Sequence, residues 1–375
     1  MNADITRADI IVIGGGIAGA SAAANLAADH KLVLIEAEDI AGYHTTGRSA
    51  AIWVQNFGPD DVRLLSRLSR QFFADPPKGF SEVPLLHHRP VLFLAARGET
   101  AALDGLLAHA EGLRPISVDA ARALVPAIIA DNAVAAAIED DAFDMDVSAL
   151  HQGYLRQLRA LGGTISLRSR AEHIDRRDGI WRVRTRDAEF HAPIIINAAG
   201  AWADEVARMA GLSGLGLRPL RRTALIINPA PFEVADWPMV IDAAHQWYAR
   251  PEARTRLLIS PEDETPDRPH DVQPEEIDIA LAIERMQSAL AIEVRRVERS
   301  WAGLRTFSPD GSLIFGWDTR VSGFFWCAAQ GGYGIQTAPA AGRLVADLVA
   351  GRDPAAGEDA VAMTSAARFS RTAAG

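Results

Sequence analysis

The glycine-rich segment near the N-terminus, GGGIAG at residues 14–19, constrains the fold more than any other part of the chain. A short apolar run, DIIVI at residues 9–13, precedes it, and an alanine-rich stretch typical of a helix follows over residues 18–28. A second apolar run, KLVLI at residues 31–35, comes next. Short apolar runs rich in β-branched residues are typical of buried parallel strands. The sequence therefore predicts a right-handed βαβ unit at the start of the chain.

Three glycines in this segment, Gly14, Gly16 and Gly19, follow the spacing of a dinucleotide-binding turn. The first permits a tight turn, the second lets the backbone approach a pyrophosphate, and the third lets the helix pack closely on the strand. Glu36 ends the second strand, where its carboxylate can accept hydrogen bonds from ribose hydroxyls and would repel a 2′-phosphate. NAD and FAD both bind to this fold, so the motif leaves the choice between them open.

Two further glycine-rich segments predict contacts with the same cofactor. Residues 42–51, GYHTTGRSAA, follow Glu36 closely, so we expect them to run across the far half of the cofactor. Their small and hydroxylated side chains allow close approach to a flat ring. Residues 330–335, QGGYGI, lie between an apolar strand and a helix, where free backbone N–H groups suit an electron-rich or anionic group.

Composition narrows the class of protein. The chain has 375 residues, enough for two domains or one large α/β unit, with 49% hydrophobic and 23% charged residues, which excludes a disordered chain. A net charge of -10 predicts no nucleic-acid partner. Cys327 is the one cysteine, and no His, Asp and Glu cluster has ligand spacing, so we expect no disulfide framework and no metal site. The chain contains no apolar run of about 18 residues, so the sequence predicts no transmembrane segment. We expect a cytoplasmic protein, or one peripheral at the inner face of the membrane.

Seven stretches together carry a family resemblance: VIGGGIAGAS, GYHTTGRSAA, DPPKGF, ALHQGYLR, NAAGAW, WAGLRTF and AAQGGYGIQT. The chain resembles the D-amino-acid oxidase/glycine oxidase superfamily of FAD enzymes and, within it, the bacterial FAD-dependent D-arginine dehydrogenases. The resemblance implies FAD rather than NAD. It also implies an α/β fold in which a Rossmann-type FAD-binding domain is interleaved with an antiparallel-sheet substrate domain. We assign residues 1–75, 146–214 and 306–375 to the first and residues 76–145 and 215–305 to the second.

Site residues follow from the same resemblance. Arg222, Tyr248 and Arg305 fall where the family binds the substrate carboxylate, and Gly332 falls where a backbone carbonyl receives the substrate amine. A guanidinium matches a carboxylate as a rigid fork, so the residue types suit this role. No cysteine occupies residues 301–305, where relatives with covalent flavin carry one, so we expect non-covalent FAD. The predicted cofactor contacts are Gly14, Gly16, Ala18, Gly19, Glu36, Thr46, Gly47, Arg48, Ser49, Ala50, Gly200, Gly331, Tyr333, Gly334, Ile335 and Gln336.

Three pocket residues depart from the D-arginine enzymes. Ile52 replaces a histidine near the flavin, Val91 replaces a glutamate that pairs with the basic side chain, and Phe57 replaces a tyrosine at the pocket mouth. The carboxylate-binding residues are kept while the cation site is lost, which predicts a neutral, mostly apolar substrate side chain. We expect His87 and His88 to lie at the surface or to be hydrogen-bonded within the protein. Either of them could still take the place of the histidine that is missing at position 52.

The resemblance implies oxidative deamination of a D-amino acid to an imino acid, which water converts to a 2-oxo acid and ammonia. Hydride would pass to flavin N5, and the electron acceptor stays open between a quinone, an electron carrier and oxygen. Three alternatives also stay open: a flavin enzyme of an N-alkyl or cyclic secondary amino acid, one of a 2-hydroxy acid, and a flavin-binding protein without turnover. Arg222 and Arg305 argue against a flavin-binding protein without turnover, because such a protein would not need to bind a substrate carboxylate.

Overall fold

The computed structural model describes residues 4–369. The helices are α1 (Ile17–Leu26), α2 (Asp60–Ala74), α3 (Thr100–His109), α4 (Val118–Leu124), α5 (Val147–Ala160), α6 (Ala203–Met209), α7 (Glu276–Ala289), α8 (Gly334–Val349) and α9 (Gly357–Thr364), with short 3-10 turns at Gly200–Trp202 and Ala366–Phe369. The strands are β1 (Asp4–Arg7), β2 (Ile10–Ile13), β3 (Leu32–Ile35), β4 (Ile52–Val54), β5 (Leu86–His88), β6 (Val91–Ala96), β7 (Leu113–Ile116), β8 (Ala133–Glu139), β9 (Ala142–Met145), β10 (Thr164–Ser166), β11 (His173–Arg177), β12 (Ile180–Arg184), β13 (Ala188–Ala192), β14 (Ile194–Asn197), β15 (Arg218–Ile227), β16 (Met239–Asp242), β17 (Tyr248–Glu252), β18 (Arg256–Ser260), β19 (Thr265–Pro266), β20 (Val297–Phe307), β21 (Ile314–Trp317) and β22 (Phe324–Ala328).

One six-stranded sheet carries the glycine-rich turn, with the strand order β10-β3-β2-β14-β22-β21. Its neighbouring strands run parallel except β21, which is antiparallel to β22. β2 and β3 are buried at every position, as expected for strands covered on both faces. α1 follows β2 directly and packs against α5 and α8. The predicted Rossmann-type βαβ unit is confirmed.

The second large sheet has the order β19-β15-β18-β17-β16-β6-β8-β7, with β20 also paired to β15. Its pairs are antiparallel except for β6 and β16, which run parallel. A parallel pair needs a long connection, and these two strands lie far apart in the chain. The predicted antiparallel sheet is therefore present, with one parallel pair within it. The smaller sheets have the orders β1-β13-β12-β11 and β4-β9-β5.

Local differences from the sequence prediction lie mostly outside the first βαβ unit. The prolines around residues 217–260 predict short strands, yet β15 continues for ten residues, because Pro219 lies near its start. The weak apolar patterning after Gly351 predicts a tail that frays, but Gly357–Thr364 forms α9; residues 370–375 of this tail lie outside the described residues. Within the described range, no helix is both long enough and apolar enough to cross a bilayer. The proposed domain boundaries stay a prediction.

Candidate active site

The turn between β2 and α1 requires glycine at two of its positions. Gly14 has a φ of +110°, and a Cβ there would lie 2.4 Å from the carbonyl oxygen of Ala198. A Cβ at Gly19 would lie 1.9 Å from the carbonyl oxygen of Gly14. A Cβ at Gly16 would approach the Thr46 hydroxyl at 3.2 Å and no other described atom within 4 Å. Gly14 and Gly19 therefore bring strand and helix together, while Gly16 leaves the surface of the turn clear.

Glu36 lies directly beside this turn, at the end of β3. Its side chain is buried, and its Oε2 accepts a hydrogen bond from the Gly15 N–H at 2.7 Å. Its Oε1 accepts one from the Glu38 N–H at 2.9 Å. Each carboxylate oxygen has two lone pairs, so both can accept a further bond from a hydroxyl in the adjacent cleft. The carboxylate is thus held in place and still able to bind ribose.

Residues 42–51 run past the N-terminus of α1. The Thr46 hydroxyl accepts a hydrogen bond from the Ile17 N–H at 2.9 Å, so it satisfies one free donor of the helix end. The Thr45 hydroxyl donates to the Leu304 carbonyl at 2.7 Å. This segment therefore connects the glycine-rich turn with β20 of the second sheet.

The guanidinium of Arg48 is bound within the protein. Its Nη1 donates to the carbonyl oxygens of Val272 and Ala302, each at 3.0 Å, and its Nη2 donates to the Asp271 carboxylate. The sequence motif predicts that Arg48 contacts the cofactor. It lies along the cleft, but these bonds hold its charged end against the residues that flank the second sheet.

A cleft runs between the glycine-rich turn and the second sheet. Its lining includes both Glu36 and Arg305, so it extends from the turn to the second sheet and suits an extended ligand. Among the predicted cofactor contacts, four lie outside its lining: Gly19, Gly47, Tyr333 and Gln336. The predicted contacts that line it are Gly14, Gly16, Ala18, Glu36, Thr46, Arg48, Ser49, Ala50, Gly200, Gly331, Gly334 and Ile335.

The segment before α8 forms one end of the cleft. Gly331 has a φ of +52°, and its N–H donates to the Thr306 carbonyl at 2.9 Å, which ties the segment to β20. Gln336 points elsewhere, because its amide donates to the Ser66 hydroxyl at 2.9 Å. Tyr333 packs its ring edge-on against Phe307. The cleft is therefore bordered here by backbone rather than by the Gln336 or Tyr333 side chains.

The second sheet presents the three predicted carboxylate-binding residues on one face. Arg305 lies opposite Leu220 in the pairing of β20 with β15, and Arg222 lies two positions further along β15. Alternate residues of a strand share a face, so both arginines point the same way. The pairings across β17, β18 and β15 put Tyr248 on that face as well. All three side chains line the cleft.

The two arginines differ in what holds them. Arg222 donates to the Asp263 carbonyl at 2.9 Å and to the carboxylates of Glu264 at 3.1 Å and Glu262 at 3.5 Å. No described residue accepts a hydrogen bond from the Arg305 guanidinium, which packs so closely on Gly332 that a Cβ there would lie 2.9 Å from Nη1. Burial, together with the nearby Arg222 charge, lowers the pKa of Arg305. Arg305 is therefore a cation in the cleft that is free to bind an anion.

Two residues that the sequence analysis missed complete this charged cluster. His245 Nδ1 lies 3.8 Å from Glu262 Oε2, the oxygen that also faces Arg222. The nearby Glu262 carboxylate raises the pKa of His245, and His245, Arg222 and Arg305 together lower the pKa of Glu262 despite its burial. The prolines and acidic residues of 262–274 predict a surface loop, but its first residues fold back against β15. No local sequence pattern predicts these contacts, because His245, Glu262 and Arg222 belong to segments that lie apart in the chain.

The three predicted pocket residues lie outside the cleft lining and belong to one apolar cluster. Ile52, Phe57 and Val91 belong to one apolar cluster with Tyr248. Val91 is fully buried and pairs directly with Glu139 across β6 and β8. None of the three lines the main cleft, so their role as pocket residues stays a prediction.

A buried acid and two exposed histidines also border this region. Glu139 is 2% exposed, its Oε2 finds no partner among the described atoms, and burial raises the pKa of its carboxyl to about 7. His87 and His88 lie on the exposed strand β5, and His88 contacts the Asp140 carbonyl at 2.8 Å. Neither histidine lines the cleft.

These residues fit a bound dinucleotide. Gly16 lets a pyrophosphate approach the N-terminus of α1, where backbone N–H groups and the helix dipole favour negative charge. Glu36, beside it, could accept hydrogen bonds from ribose hydroxyls. The remainder of the cleft leads to the free guanidinium of Arg305, so a small anionic molecule can bind at the far end.

Comparison with known proteins names the family. The family model described as FAD dependent oxidoreductase matches residues 9–348. The chain belongs to this family, and FAD is its cofactor.

Individual relatives are distant in sequence. Glycine oxidase from Bacillus subtilis is 24% identical over 92% of this chain and 94% of its own length. FAD-dependent oxidoreductase domain-containing protein 1 from Xenopus laevis is 28% identical, but the match spans only 42% of this chain and 34% of that protein. The crystal structure of glycine oxidase from Geobacillus kaustophilus superimposes with a TM-score of 0.81 at 21% identity, covering 93% of this chain and 96% of that one. This last likeness establishes a shared fold.

Proposed function

We propose that this FAD-dependent oxidoreductase oxidises a D-amino acid with a neutral, mostly apolar side chain. The α-carbon loses a hydride and the nitrogen loses a proton, which forms an imino acid. Water then converts the imino acid to a 2-oxo acid and ammonia. The similarity to glycine oxidases supports an amino-acid substrate.

The free guanidinium of Arg305 is the observation that carries this proposal. It lies in the same cleft as the dinucleotide-binding turn, and no described residue neutralises it through a hydrogen bond. A guanidinium without a hydrogen-bonding partner in a partly buried cleft favours a ligand carboxylate that binds it as a two-pronged acceptor. Tyr248, on the same sheet face, can add a hydroxyl donor to that carboxylate.

The remaining roles orient the α-carbon. With the carboxylate on Arg305, the Gly332 backbone carbonyl beside it can accept a hydrogen bond from the substrate nitrogen. These two contacts fix two of the four α-carbon substituents. FAD, when bound, supplies the hydride acceptor. The protein chain therefore acts by positioning, and a neutral amine needs no strong protein base.

The preference for apolar side chains rests on the cluster of Ile52, Phe57 and Val91. A cationic side chain placed against these residues would be desolvated without a partner, whereas an apolar one gains about 0.8 kcal/mol per buried methylene. Glu139 lies opposite Val91 in the pairing of β6 with β8, and its pKa of about 7 leaves it partly neutral near that pH, which weakens its attraction for a cation.

An anaerobic substrate screen tests the proposal. The purified flavoprotein is mixed with D- and L-amino acids, glycine, sarcosine and small 2-hydroxy acids, and loss of flavin absorbance is followed by stopped flow. We expect the fastest reduction with D-leucine, D-methionine, D-phenylalanine or D-valine. Fastest reduction by sarcosine, a cyclic amino acid or a 2-hydroxy acid would replace the proposed substrate class. The rate at which a quinone, an electron carrier or oxygen reoxidises the reduced flavin then identifies the acceptor, and cell fractionation tests the proposed cytoplasmic location.

A further inference from the structure

A buried histidine contacts the backbone of the glycine-rich turn. His151 lies on α5 with 4% of its surface exposed, and its Nε2 is 2.8 Å from the Gly15 carbonyl oxygen. A Cβ at Gly42 would lie 2.9 Å from the imidazole Cε1. The ring therefore contacts two glycine-containing segments that border the cofactor cleft.

The direction of this hydrogen bond follows from the chemistry of its two atoms. A carbonyl oxygen can only accept, so the imidazole Nε2 carries the proton. Burial lowers the pKa of His151, which keeps the ring in its neutral form with that proton on Nε2. His151 thus acts as a fixed donor to the Gly15 carbonyl.

The same bond sets the orientation of the next backbone donor. A peptide unit is planar and trans, so the Gly16 N–H points away from the Gly15 carbonyl and hence away from His151. Within residues 4–369, no acceptor takes this N–H, and Gly16 lines the cleft. Since both residues of this peptide are glycines, little steric hindrance would prevent its rotation if the carbonyl were released.

We propose that His151 is a positioning residue for FAD, which locks the Gly15–Gly16 peptide so that the Gly16 N–H faces the cofactor pyrophosphate. Glu36 holds the preceding N–H of Gly15, so the two side chains fix successive peptides of the turn. His151 itself touches neither phosphate nor substrate. This inference depends on FAD as the cofactor and is independent of which substrate is oxidised.

The test compares His151→Phe and His151→Gln in the full-length protein. Phenylalanine fills the space without a donor, whereas the glutamine amide can again donate to the carbonyl. FAD release after dilution of the holoenzyme is followed by flavin fluorescence, with ADP or adenosine added as competitors for rebinding. The matched control is Tyr154→Phe, on the same helix and equally buried, which removes a hydroxyl that has no described partner.

We expect His151→Phe to weaken FAD and ADP binding about 3- to 10-fold, the effect of one net hydrogen bond. Adenosine, which has no phosphate, should compete as it does in the wild type. His151→Gln should restore most of the loss, and Tyr154→Phe should behave as the wild type. Unchanged FAD and ADP affinities in His151→Phe would overturn the proposal, as would an equal loss for adenosine. If His151→Phe does not fold, ADP binding by His151→Gln and His151→Asn decides, because only the longer amide should keep wild-type affinity.

Discussion

Arg222 and Arg305 lie diagonally across the paired strands β15 and β20 and face the same cleft, yet only Arg222 is bound by carboxylates of the protein itself. Residue type and family position suggest one shared role for both. Their surroundings separate them, because Glu262 and Glu264 already neutralise Arg222. Among the described residues, Arg305 thus lacks a hydrogen-bonding partner and is the proposed main anchor for a substrate carboxylate, whereas Arg222 is already paired with carboxylates.

This asymmetry predicts different results for two matched substitutions. Arg305→Lys should raise KM for the amino acid about 10- to 100-fold, because lysine keeps the charge but loses the planar fork. Arg222→Lys should raise KM less and lower Tm, because its contacts with Glu262 and Glu264 are lost or lengthened. Steady-state kinetics and thermal unfolding of both flavin-loaded variants provide the measurement. Equal changes in KM would assign both arginines to the substrate carboxylate, as the sequence alone suggests.

Loss of the Glu36 carboxylate should weaken FAD binding. Glu36→Ala removes an acceptor for ribose and releases the Gly15 N–H, so we expect a loss of about 1.5–3 kcal/mol, roughly ten- to over a hundredfold in affinity. The control is Glu38→Ala, a nearby acid whose carboxylate contacts His44 at 3.0 Å. Retention of FAD after dilution and gel filtration is measured for both. A fully loaded Glu36→Ala protein would show that the ribose binds elsewhere.

A single substitution in the apolar cluster should change side-chain preference. Val91→Glu puts a carboxylate into the apolar cluster that includes Tyr248 and should favour D-arginine and D-lysine at the expense of apolar D-amino acids. Val91→Ile is the size-matched control and should keep the wild-type order. Flavin reduction rates across the substrate panel are compared. A wild-type protein that is reduced fastest by D-arginine or by a dicarboxylic amino acid would contradict the apolar pocket at the outset.

The buried acid Glu139 should make stability depend on pH. Its pKa rises from 4.5, the ordinary value of a solvated glutamate, to about 7 in the folded protein, so the folded state holds a proton that the unfolded state releases. Stability from this group is therefore fully present below pH 4.5 and is lost as pH rises through 7, by an amount on the order of 3 kcal/mol. Glu139→Gln cannot ionise. Its free energy of unfolding relative to wild type should increase between about pH 4.5 and 8, as measured by denaturant titration, and a pH-independent difference would refute the assignment.

Much of the cofactor half could be predicted because its signals are local. The strand, the three glycines, the helix and Glu36 lie within the first 36 residues, and each has a backbone or hydrogen-bonding requirement that few residue types satisfy. The hydrogen-bond partners of individual side chains could not be predicted as well from the sequence. Arg48 has the right position in the motif, but its guanidinium is held by Asp271, Val272 and Ala302, residues that no nearby pattern connects with it.

The sequence by itself determined the Rossmann-type unit, because strand, turn and helix preferences act between residues close together in the chain, and its family resemblance implied FAD. Tertiary structure alone decided which arginine is free and what supports the turn. Glu262 reaches Arg222 across 40 positions, and His151 reaches Gly15 across 136. Such contacts depend on how sheets and helices pack in three dimensions, and spacing along the chain carries no signal for them. Which charged side chain of a site is free to bind a ligand is therefore decided by the tertiary structure, whereas the framework of the site follows from local sequence.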